Sequence, residues 1–169
     1  SISSAAIAGV QFDIVACDFS TGNLVKVDMG TMTSEVLVSL GPDADPEGIA
    51  MRQPDEIFVS VTNSSNTKNV LKVTHDGNTW SIDSFTGALF GNTGPGLLDF
   101  DSLGRLIVAG NSAREFFIFD PDTGELIATV ENSGCCNIVG VETQGHIAYA
   151  GEYFAGRIWR ADLIDSSIE

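Results

Sequence analysis

The chain repeats itself with a period of 42 to 46 residues, and that period limits the folds open to it. Short β-type runs recur in pairs: Ile14–Ala16 with Leu24–Asp28, Ile57–Ser60 with Val70–Thr74, Leu106–Ala109 with Phe116–Asp120, and Ile147–Ala150 with Ile158–Asp162. The second members of successive pairs lie 46, 46 and 42 residues apart, the length of a four-stranded propeller blade. No stretch combines helical periodicity with helix caps. The expected fold is therefore all-β, a four-bladed β-propeller of four-stranded antiparallel blades. One domain is expected over the 169 residues, with blades at about 1–41, 42–90, 91–132 and 133–169.

The second repeat is the cleanest. Pro46-Glu47-Gly48-Ile49-Ala50 opens an inner strand, Gln53-Pro54-Asp55 turns, Glu56–Thr62 and Val70–Thr74 follow, and Trp80–Phe85 is the outer strand. His75-Asp76-Gly77-Asn78 has hairpin chemistry, because glycine supplies the positive φ such turns need. In the fourth repeat Asn137–Val141, Gly145–Ala150 and Gly156–Asp162 leave no clear outer strand before Glu169. The first inner strand is expected at Ala5–Val10, with only Ser1–Ser4 ahead of it to help seal a ring. An unpaired edge invites strand addition from the chain's own end or from another subunit.

Acidic residues number 23 against 8 basic ones, a formal charge of −15, and the basic residues are scattered. Nucleic acid is excluded as a partner on that balance, since phosphate binding needs a basic patch. No apolar run is long enough to span a membrane. The start at Ser1 without Met is read as a mature chain whose signal peptide has been removed, which places the protein outside the cell.

Pro46-Glu47-Gly48-Ile49-Ala50, Leu103-Gly104-Arg105-Leu106-Ile107-Val108-Ala109 and Phe116–Glu125 resemble the blade motifs of the NHL and gluconolactonase-like propeller superfamily. Members commonly have six blades; four here imply either a small closed ring or a half-ring completed by a second subunit. The resemblance further implies a divalent cation, calcium for instance, in the central channel. Glu47, Asp99 and Asn137 are the residues it would place there as oxygen ligands. A metal-dependent lactonase-type hydrolase is the enzymatic alternative that follows.

The residues themselves supply little catalytic chemistry. His75 and His146 each fall in a turn, and there is no nucleophile elbow, phosphate loop or metalloprotease helix. Cys17 lies in the first blade, while Cys135 and Cys136 precede the fourth inner strand. One bridge, Cys17 with Cys135 or Cys136, would join blades that ring closure makes neighbours, leaving the third cysteine unpaired. Asn63-Ser64-Ser65 is an N-glycosylation sequon. The expected function is a secreted, non-enzymatic propeller whose partner is itself, a structural or surface subunit that builds an oligomer or filament. A ligand-binding propeller module is the milder variant.

Overall fold

The structure is a computed structural model that describes residues 14–63, 68–86, 94–110, 115–131, 138–152, 156–164 and 167–168. These residues form fifteen strands and no helix, arranged as four antiparallel sheets whose strands are joined in chain order. The first sheet holds β1 (Ile14–Asp18), β2 (Asn23–Asp28) and β3 (Thr33–Ser39). β4 (Ala44–Gln53), β5 (Glu56–Asn63), β6 (Lys68–His75) and β7 (Trp80–Ser84) make the second sheet. The third contains β8 (Pro95–Phe100), β9 (Leu106–Gly110), β10 (Glu115–Phe119) and β11 (Leu126–Glu131). β12 (Ile138–Gln144), β13 (Ile147–Glu152), β14 (Ile158–Asp162) and β15 (Ser167–Ile168) complete the fourth.

Each sheet packs on the next through alternate side chains, because successive residues of a strand point to opposite faces. Leu24, Ile57, Val59, Val61 and Val73 form the core between the first and second sheets, with Val15 and Cys17 against it. Phe58, Val70, Leu98, Leu106, Val108 and Phe119 fill the gap between the second and third. Ile107, Phe116 and Ile118 meet Ile138, Ala148, Ala150 and Ala161 between the third and fourth. Phe58 stands edge-on to Phe85 and Phe100, with ring centroids 4.9 and 5.5 Å apart, a geometry that adds to their burial.

Polar clamps reinforce the apolar contacts. Arg52 reaches Asp122 at 2.6 Å and Lys72 donates to the Pro121 carbonyl at 3.2 Å, tying the second sheet to the third. Ser102 N donates to the Gly145 carbonyl at 2.9 Å, tying the third to the fourth. Near the inner strands the backbones crowd together, and a Cβ on Gly48 would lie 2.8 Å from Leu97 Cα. Only glycine fits that approach.

The fourth sheet does have an outer strand, built by the two residues Ser167–Ile168 pairing with Ala161 and Asp162. The short first sheet is the one with three strands among the described residues; the expected inner strand at Ala5–Val10 lies outside them. The turns follow their chemistry. Gly77 and Gly124 have φ of 95° and 74°, and Asp76 and Asp120 each accept hydrogen bonds from two backbone N–H groups of their own turn.

Candidate functional site

Glu47 sits on β4 and its Oε1 accepts a hydrogen bond from the Thr62 hydroxyl at 2.9 Å. Asp99, on β8, faces the fourth sheet. Its Oδ2 accepts from the Thr143 backbone N–H at 2.6 Å and lies 2.8 Å from the Thr143 hydroxyl, while Oδ1 accepts from Phe100 N at 2.8 Å. Both carboxylates thus spend acceptor capacity on the protein itself, and Asp99 works as a clasp between neighbouring sheets. Asn137 lies outside the described residues. Among the described residues no three His, Cys, Asp or Glu side chains gather in a way that would hold a metal ion.

Cys17 is a half-buried free thiol that packs toward the second sheet, with Sγ 3.9 Å from the Gly48 carbonyl. Burial pushes its pKa up to about 11, so it is protonated and a poor nucleophile at neutral pH. Cys135 and Cys136 lie outside the described residues, as do Ser64 and Ser65 of the sequon, whose Asn63 ends β5. His75 packs against Trp80 with ring centroids 4.8 Å apart and the planes tilted by 40°, and half-exposed His146 lies 3.7 Å from Asp162. Neither is part of a catalytic arrangement on the described surface.

The surfaces that stand out are the two ends of the row of sheets. Cores join first to second, second to third and third to fourth, and no buried cluster joins fourth to first among the described residues. The register puts Ile14 beside Val27, Ala16 beside Val25, and Val25 beside Val36. These five aliphatic side chains share the face of the first sheet that points away from the second. Ile14 keeps 50% of its surface exposed and Val36 60%. Phe19, Met29 and Met32, in the turns of the same sheet, are exposed as well.

At the other end, Ile147, Tyr149, Ile158, Arg160 and Asp162 share the outward face of the fourth sheet, with Tyr149 opposite Arg160 and Ile147 opposite Asp162. Ile158 is 78% exposed and Tyr149 37%. Motif reasoning passed over these residues, although the sequence carried a signal for them. Ile14-Val15-Ala16-Cys17 is apolar at every position, as expected of a strand covered on both faces. In the third sheet the equivalent run Leu106-Ile107-Val108-Ala109 is buried throughout, between the second sheet and the fourth.

No family model and no curated protein matches the sequence. Solved structures match in fold. A chain of a nidogen/laminin complex superposes with a TM-score of 0.73 at 17% identity, over 92% of this chain and 57% of that one. Virginiamycin B lyase from Staphylococcus aureus, catalytically inactive and with quinupristin, gives 0.74 at 14%, over 94% and 51%. A streptogramin B lyase gives 0.73 at 18%, over 96% and 52%. The chain is a β-propeller. Identities this low carry the fold and nothing more, and the propeller spans about half the length of the solved chains it matches. Those chains include lyases as well as a partner in a protein complex, so the fold leaves the choice between catalysis and binding to the site.

Proposed function

We propose that this propeller is a non-enzymatic, secreted structural or surface subunit that works by associating with itself. The observation that carries this reading is the outer face of the first sheet, where Ile14, Ala16, Val25, Val27 and Val36 form one aliphatic surface with its two rim residues more than a third exposed. An aliphatic sheet face left in water is an interaction site by its chemistry. The small charged fraction of the chain, 18%, favours packing between subunits because few charges need desolvation. Secretion rests on the sequence features alone.

The lactonase-type alternative has less support, because Asp99 and Glu47 are both engaged by neighbouring threonines. Light scattering and negative-stain microscopy across a concentration series test the proposal. An oligomer whose share rises with concentration is expected. A single-chain particle throughout would overturn it, and lactone turnover abolished by a chelator and by Glu47→Gln would restore the enzymatic reading.

A further inference from the structure

Association leaves open which surfaces meet. We infer that the outward face of the first sheet of one copy packs against the outward face of the fourth sheet of a second copy, head to tail, so that two chains close one ring of eight sheets. The inference rests on the self-association proposed above and specifies its geometry.

Three observations lead to it. First, among the described residues every core joins the forward face of one sheet, the face toward the next sheet, to the backward face of that next sheet, and this leaves the backward face of the first sheet and the forward face of the fourth. The unused faces are therefore a matching pair of unlike kinds, one at each end. A contact between unlike faces is heterologous, and it closes into a ring when the rotation allows.

Second, both faces carry large apolar side chains in water. The first sheet offers a flat aliphatic surface of Ile14, Ala16, Val25, Val27 and Val36. The fourth offers Ile158, Tyr149 and half-buried Ile147, set among the charged side chains Arg160 and Asp162.

Third, the curvature fits. The chain superposes over at least 92% of its length on propeller chains of which it covers 50 to 57%. Two copies thus supply about as much chain as one of those propellers, and eight sheets lie within the range of about four to eight that propeller rings contain.

The test is a complementation between two face variants, Val36→Glu on the first sheet and Ile158→Glu on the fourth. Both positions are largely exposed, so the circular dichroism spectra of each variant are expected to match the parent protein, and the urea midpoints to match it at a dilution where the parent is a single chain. In sedimentation velocity each variant alone should lose self-association at least tenfold. A one-to-one mixture should recover a two-chain species, because one of its two interfaces then joins an intact first sheet to an intact fourth sheet.

If Val36→Glu alone abolishes association while Ile158→Glu has no effect, the first sheets pair with each other and the head-to-tail ring is wrong. If neither variant changes the association of the parent protein, self-association stands but uses another surface. A parent protein that stays a single chain at every concentration overturns the ring and the self-association together, and leaves the two faces to sheets of a longer polypeptide.

Discussion

Replacing Asp99 tests whether that carboxylate is a sheet-to-sheet clasp or a cation ligand. It accepts from the backbone N–H groups of Thr143 and Phe100, and the Thr143 hydroxyl lies 2.8 Å from Oδ2 and 2.6 Å from the Phe100 carbonyl. Asp99→Ala leaves two backbone donors without their acceptor. Each orphaned donor costs about 1 to 3 kcal/mol, and the half-buried setting favours the lower part of that range, so the variant should lose about 3 kcal/mol. Thr143→Val removes only the hydroxyl and should cost about 1 kcal/mol. Because the two side chains touch, their losses should not add; a coupling of about 1 kcal/mol is expected in a double-mutant cycle. Urea unfolding of the four proteins, with and without EDTA, reads all of this. A loss below about 0.5 kcal/mol for Asp99→Ala, or full additivity with Thr143→Val, would refute the clasp. An EDTA-induced drop in the parent midpoint that Asp99→Ala abolishes would make Asp99 a cation ligand instead.

Three further outcomes follow from the same structure. Ser60 Oγ is buried with no hydrogen-bond partner among the described residues, so Ser60→Ala should stabilise the fold by about 1 kcal/mol in urea unfolding; destabilisation would show that the hydroxyl has a partner. Cys17, its pKa raised to about 11 by burial, should react slowly with a maleimide in the native state and quickly in urea. Non-reducing peptide mapping then decides between this thiol and the bridge to Cys135 or Cys136. Asp28, Asp76 and Asp120 have pKa values lowered chiefly by backbone N–H groups three and then two residues ahead. Their contribution is present above the unfolded value of about 4 and is lost as pH falls through the lower folded values. The triple Asn variant should therefore lose less stability than the parent between about pH 5 and pH 3, measured as the shift in urea midpoint.

The repeat made the four sheets legible, because strand alternation and turn chemistry are local and survive in each copy. Phase within the fourth copy was not legible. Matching Gly145 to Gly104 makes Ile147 the counterpart of Leu106, yet Ala148 is the residue buried against the preceding sheet and Ile147 turns outward. The cause is loop length. Phe100 pairs with Leu106 across five intervening residues, whereas Gln144 pairs with Ile147 across only Gly145 and His146. A one-residue shift moves every side chain to the other face. The outer strand Ser167–Ile168 is too short to show alternation, so only its pairing with β14 reveals it. Glu47 and Asp99 were singled out by their place on inner strands, but the threonines that engage them lie 15 and 44 residues away. The exposed aliphatic face was written in the all-apolar run of β1, and the arrangement of sheets shows that one side of it has no covering sheet among the described residues.

Native mass spectrometry of the unmodified protein at micromolar concentration tests the central claim most directly. The head-to-tail ring predicts a discrete species at twice the 17.8 kDa chain mass, with no intermediate ladder of larger assemblies. A spectrum holding only the single-chain mass across the concentration range would contradict it.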